Sequence, residues 1–170
     1  MALRNIVTVG DPVLRKVSRP VVKFDEKLWR LLDDMKETMA KAEGAGLAAV
    51  QVGILRRVVI VDVDDGKGLV ELINPEIVEM SEEMQEGEEG CLSVPGEYGI
   101  VTRPMEVTVR AQNREGTWCL YKGKELRARC FCHELDHLDG KLYTDIASRM
   151  LDEDDIRRMR EERSKANGGS

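Results

Sequence analysis

Lys124-Glu125-Leu126-Arg127-Ala128-Arg129-Cys130-Phe131-Cys132-His133-Glu134-Leu135-Asp136-His137-Leu138-Asp139, closed by Gly140, is the stretch that decides how this chain folds. Its period is helical, and the glycine is a fitting C-terminal stop. One face carries Leu126, Cys130, His133 and His137, and another carries Phe131, Leu135 and Leu138, continued by Leu142. A helix with two such faces has little surface to offer water, so it belongs inside the fold, against sheet on more than one side. His133 and His137 are the only histidines in 170 residues. Four residues advance a helix by about one turn, so both imidazoles project from one face. There they can hold one metal ion, with Glu134 beside it to move protons. The pattern supplies two ligands, whereas a catalytic metal usually takes three from the protein and keeps one position open.

Upstream of this helix the texture is that of strands. Arg57–Val63, Leu69–Asn74, Glu76–Glu86, Ile100–Val101, Glu106–Gln112 and Thr117–Lys122 read as strands, with turns at Asp64-Asp65-Gly66 and Asn74-Pro75 and a hairpin turn over Asn113–Gly116. Nearer the start, Asp25 caps a helix running to about Glu43, whose Leu28, Leu31, Leu32, Met35, Met39 and Ala42 form a core-packing stripe. Asp11-Pro12 opens a short helix through about Lys16. A charged helix follows from Asp152 to about Lys165, and Ala166–Ser170 reads as a frayed tail. Helix, strands, helix is the order of an α+β fold: antiparallel or mixed β-sheets wrapped around a central metal-binding helix, with N-terminal and C-terminal helices. The expectation is one domain over 1–165 and a tail over 166–170.

Hydrophobic residues at 42% and charged ones at 34% describe a soluble globular chain. A net charge of -6 argues against reading nucleic acid as its main business. No apolar run is long enough to span a bilayer, and Met1–Gly10 lacks the basic-then-apolar pattern of an export signal. The cysteines Cys91, Cys119, Cys130 and Cys132 are therefore read as reduced thiols in the cytoplasm.

For the third ligand the carboxylates are too numerous to choose among, so the thiols are the informative candidates. Cys130 lies on the histidine face but N-terminal of the pair, where it lines a pocket wall; Cys132 points away; Cys119 falls in a strand as a buried thiol. Cys91 differs. It sits in a glycine-bounded bend, Gly87-Glu88-Glu89-Gly90-Cys91-Leu92-Ser93-Val94-Pro95, from which a thiol can reach another element. A Cys-His-His set with an open fourth position is catalytic rather than structural. A further stretch, Gly44-Ala45-Gly46-Leu47-Ala48-Ala49-Val50-Gln51, lacks the lysine of a phosphate loop. Taken alone it reads as a helix cap and small-residue turn, yet its small residues suit close approach of a peptide backbone, and Gln51 offers a neutral amide donor.

Together these segments resemble the peptide deformylases. That family's motifs Gly-x-Gly-Leu-Ala-Ala-x-Gln, Glu-Gly-Cys-Leu-Ser and His-Glu-x-Asp-His match at Gly44–Gln51, Glu89–Ser93 and His133–His137, in order. The similarity extends from Asp11-Pro12-Val13-Leu14 to Asp139-Gly140-Lys141-Leu142, departing from the commonest pattern at Val50 and Cys132. The resemblance implies removal of the N-formyl group from the formyl-methionine that starts new proteins, with release of formate. It implies Cys91, His133 and His137 as ligands of one divalent metal, iron(II) favoured over zinc, nickel or cobalt. Glu134 is then the proton carrier, and Gln51 and the Leu92 backbone N–H steady the developing oxyanion. Gly44, Ala45, Gly46, Glu89 and Gly90 would flank an extended peptide, with Leu126, Arg129 and Cys130 around its methionine side chain. Arg129 is placed on the exposed or rim side of the helix, Glu89 and Arg103 form an ion pair, and Asp136 steers a ligand or an arginine. The implied partners are formyl-methionyl peptides and nascent chains, met by a monomer. In some family members the C-terminal helix contacts the ribosome, but Glu161 and Glu162 among the arginines here favour a plain solvated helix.

A zinc peptidase cutting internal bonds and a thiol hydrolase with Cys91 as nucleophile and His133 as base are the rival enzymes. A purely structural metal module is the rival outside catalysis.

Overall fold

In the computed structural model, which describes residues 2–168, the central helix is α2, Leu126–Leu138. From Arg127 to Leu138 every residue except Asp136 is buried. The burial follows from its surroundings. One sheet has strand order β1 (Gly46–Ala48), β2 (Val58–Val61), β3 (Val70–Met80), β6 (Glu106–Gln112) and β7 (Trp118–Lys124). A second sheet contains β4 (Met84–Cys91), β5 (Val94–Pro104) and β8 (Arg149–Met150). α2 contacts β1, β2, β6 and β7 of the first sheet and β5 of the second. All the strand pairs described are antiparallel, and the one parallel contact is the isolated bridge Arg19–Arg56.

All four residues of β2 are buried because the first sheet is covered on both faces. Val59 and Val61 pack with Phe131, Leu135 and Leu138 of α2, whereas Val58 and Ile60 face α1 (Glu26–Ala42) through Leu28, Leu32 and Met35. Each such buried aliphatic side chain is worth about 1.5–3 kcal/mol. Asp25 caps α1 by accepting from the Leu28 N–H at 3.3 Å. Pro12–Arg15 is a single 3-10 turn capped by Asp11. α3, Glu153–Gly168, closes the chain and extends beyond Lys165, where the tail was expected to begin; Gly169 and Ser170 lie outside the described residues.

Several local expectations change. Asn74-Pro75 is not a turn between strands, because β3 runs straight through it. Asn74 takes a left-handed conformation (φ 52°) inside a bulge of the β3–β6 pairing, and its side chain bonds both the N–H and the C=O of Val21. The expected strand Glu76–Glu86 divides instead at Ser81–Glu83, and Ile100–Val101 expands into the eleven-residue β5. β8 had no sequence signal of its own. Arg129 is buried rather than exposed, because Glu89 and the Val101 carbonyl receive its guanidinium. Cys119 is partly exposed rather than buried, since β7 is an edge strand.

Candidate active site

Three elements converge at one end of α2. The β4–β5 pairing shifts register between Gly90 and Cys91, which turns the Cys91 thiol out of the ladder towards the helix. Its Sγ lies 3.3 Å from His137 Nε2, which lies 3.3 Å from His133 Nε2. The three donor atoms are all within 4.8 Å of one another. Around a tetrahedral ion with N bonds near 2.0–2.1 Å and an S bond near 2.3 Å, neighbouring donors stand roughly 3.3–3.6 Å apart. The spacing therefore fits a metal, and so does the chemistry, for two imidazole nitrogens facing each other can share at most one proton.

The surroundings hold these donors in place. His133 Nδ1 is 2.6 Å from Glu89 Oε1, which sets Nδ1 as the protonated nitrogen and leaves Nε2 free to ligate. Glu89 receives Arg103 at 2.7 and 3.2 Å and Arg129 at 2.8 Å. Burial raises the Glu89 carboxyl, but hydrogen bonds from His133 and Arg103 outweigh it and hold it down to about 2. Arg103 also bonds Asp136 at 2.7 Å, so the expected pair is a buried network rather than a surface contact. Burial and the neighbouring His133 push His137 well below its ordinary value, keeping it neutral. Burial also pushes Glu134 up, to about 7. Its Oε1 is buried without a partner among the described residues, leaving an acceptor free for a donor in the cavity.

Of the residues expected at the site, all but His137 line one cavity of about 480 Å³. Gly44, Ala45, Gly46, Gln51, Glu89, Gly90, Cys91 and Leu92 line it together with Leu126, Arg129, Cys130, His133 and Glu134 of α2. His137 stands behind, 1% exposed. The Gln51 side chain accepts from the Ala48 N–H at 2.9 Å and directs its NH2 to Ser93 Oγ at 3.1 Å and Cys91 Sγ at 3.6 Å. Gly46 has no room for a side chain, since a Cβ there would stand 2.5 Å from Glu134 Oε2 and 2.7 Å from Cys130 Sγ. Burial raises the Cys130 thiol far above its ordinary value, so it is a wall and not a nucleophile. Sequence reading missed Tyr143, which stacks on His133 at 5.9 Å, and the part Ser93 takes in holding Gln51. Ser93 lay within a quoted motif; for Arg129, the signal was a charge on a helix with no free face.

A family model described as polypeptide deformylase matches residues 3–153. The chain belongs to that family. Deformylases are metal-dependent hydrolases that remove the N-formyl group from nascent peptides; the α+β fold here is theirs, and Cys91, His133 and His137 form a cluster that could hold a metal. A peptide deformylase of Acetivibrio thermocellus is 57% identical over 165 residues, covering 95% of this chain and 93% of that protein. The solved deformylase of Thermotoga maritima superposes with a TM-score of 0.84 at 44% identity, covering 87% of this chain and 99% of that one. A deformylase from Acinetobacter baumannii, solved with Met-Ala-Ser bound, matches with a TM-score of 0.80 at 35% identity, covering 85% of this chain and 98% of the other. Among the described residues no helix is long and apolar enough to cross a membrane.

Proposed function

We propose that deformylation is carried out here by Cys91, His133 and His137 as metal ligands, Glu134 as proton carrier, and Gln51 with the Leu92 backbone N–H as donors to the formyl oxygen. The observation that carries this reading is the convergence of one cysteine sulfur and two imidazole nitrogens within 4.8 Å, on a cavity that Glu134 and Gln51 also line. The chemistry a divalent ion supplies there is Lewis acidity, which brings the pKa of water near neutrality and polarises the formyl carbonyl. Glu134 takes the proton of the attacking water and hands it to the departing amine as the C–N bond breaks, giving formate and a free N-terminus. The amides of Gln51 and Leu92 bind the charge as it builds on oxygen.

The peptide lies extended between the Ala45-Gly46 edge and Gly90. β1 ends the five-stranded sheet, and its outer edge, on which the Ala48 N–H is taken by Gln51 Oε1, is where a substrate strand adds beside Ala45-Gly46, as in other β-additions. The methionine side chain enters among Leu126, Arg129 and Cys130, and Glu89 acts by orienting His133. Iron(II) is the metal that the family resemblance favours for the cell; thiolate and imidazole accept zinc, nickel and cobalt as well, and affinity alone does not choose. The chain acts as a monomeric single domain over 1–165 in the cytoplasm. Transient ribosome contact through α3 is the second reading of that helix. Arg160 and Arg163 are exposed without an ion pair among the described residues, while Arg157 and Arg158 are engaged by Asp154 and Asp155. Unchanged ribosome co-sedimentation after removal of α3 would discard it.

The decisive experiment measures formate from formyl-methionyl tripeptides, using protein purified without oxygen and reloaded with one metal at a time. Formate release that a chelator abolishes, and that iron(II) restores best, is the expected result. Internal peptide cleavage without formate, or chelator-resistant turnover, sinks the assignment of roles.

A further inference from the structure

We infer that the segment Ala2–Gly10 is a strap that spaces the two loops carrying Gln51 and Leu92, and that Asp34 and Thr38 of α1 are positioning residues because they anchor it. This rests on the reading of Gln51 and Leu92 as donors to the formyl oxygen.

Asp34 and Thr38 are the two buried polar side chains of α1, each 4% exposed and one helical turn apart on the same face. A helix face turned into a core does not need a carboxylate and a hydroxyl for packing; buried polar groups are kept where they are bonded. Both are bonded to the strap. Asp34 Oδ1 accepts from the Ala2 N–H at 2.7 Å and Oδ2 from Arg4 Nε at 3.0 Å, while Thr38 Oγ1 accepts from the Arg4 N–H at 2.9 Å.

From this anchor the strap runs to the site. The Val7 N–H donates to the Gln51 carbonyl at 2.8 Å, and the Val9 N–H donates to the Ser93 carbonyl at 2.8 Å. Alternate residues of an extended segment stand roughly 6.6 Å apart, so the strap holds the two carbonyls at a set separation. The same two residues are tied through their side chains, Gln51 Nε2 to Ser93 Oγ at 3.1 Å, and both are buried. Gln51 follows β1 in the first sheet, whereas Ser93 follows β4 in the second. The strap is thus a backbone link between the sheets, at the point where the two donors must meet one oxygen. A misplacement of about 1 Å in such a site can cost on the order of 10²-fold in rate.

The test uses the full metal-loaded chain. Asp34→Ala and Thr38→Val should each lower kcat about ten-fold, with KM and bound metal unchanged, and Thr38→Ser, which keeps the hydroxyl, should restore most of the rate. Combined with Gln51→Ala, each should cause a much smaller further loss, because one of the two donors that the strap spaces is then already gone. In metal-free protein the same substitutions should speed amide exchange at residues 49–53 and 91–94 while the middle of α2 stays protected. Multiplicative losses in the double variants, or a kcat that falls only with the folded fraction, would overturn the strap. A fully active Gln51→Ala would instead overturn the donor reading, and the strap would then be judged by the exchange at the two loops alone.

Discussion

Glu134 is 3% exposed, flanked by His133 and backed by Gly46, and it keeps one carboxylate oxygen without a partner among the described residues. A side chain so placed serves the reaction only if it can take and return a proton. Glu134→Gln keeps the shape and removes that ability, so kcat should fall by about 10²–10⁴-fold with bound metal unchanged by elemental analysis; loss of metal in parallel would assign Glu134 to binding instead. Glu125 is a different kind of residue. It precedes α2 at φ 55° and ψ -124°, a region only glycine enters without strain, and is held there by its N–H to the Met105 carbonyl and its own carbonyl to Gln85. Its side chain is exposed, so Glu125→Gly should stabilise the protein by about 1 kcal/mol, read as a higher urea midpoint. At this scale the convergence of Cys91, His133, His137, Glu134 and Gln51 was legible because short motifs carry them. Arg129 and Tyr143 were not, because their roles depend on Glu89 and His133 arriving from elsewhere in the chain.

Between elements, the closest fit at the site is β1 against α2. Gly46 lets the edge strand approach Glu134 and Cys130, and Gly46→Ala would force a Cβ into both. Overpacking of this kind costs about 1–3 kcal/mol. Deformylation should suffer more than folding: a kcat/KM loss exceeding ten-fold in a variant that still melts cooperatively is the expected outcome. Element type was readable from periodicity for α1 and α2, and from β-branched runs for β2 and β6. Element limits were less so. Asn74-Pro75 has turn chemistry, but Val21 bonds the asparagine and the chain absorbs the signal as a bulge within β3. β8 is two residues long and exists only because β5 offers it an edge at Gly99 and Ile100.

Over the whole molecule, ion pairs and the metal set the response to conditions. Burial raises the Glu71 carboxyl, but Arg114 and Lys36 outweigh it and lower its pKa; burial likewise raises Asp34, but the Ala2 N–H and Arg4 lower it. Groups depressed in the folded state add stability that is fully present above their unfolded values, near pH 4–4.5, and lost as pH falls through the folded ones. Stability should therefore change little from these groups near neutrality and decline on titration below about pH 4.5, with a shallower decline in Glu71→Gln, as followed by urea midpoints. A metal on Cys91, His133 and His137 would cross-link the second sheet to α2. It should raise the melting temperature, by up to roughly 4 kcal/mol of stabilisation when free metal exceeds its Kd a thousandfold, and Cys91→Ser should remove most of that gain. Sequence alone determined that a two-histidine helix with no face for water lies at the centre of an α+β fold and that Cys91 and Gln51 belong with it, because helical period, hydrophobic pattern and motif chemistry are local properties. The tertiary structure decided what lies between those residues: the buried Glu89–Arg103–Arg129 network, the stack of Tyr143 on His133, and the strap joining Gln51 to Ser93. These are contacts between separate elements, and only packing of the two sheets around α2 brings them within reach of one another.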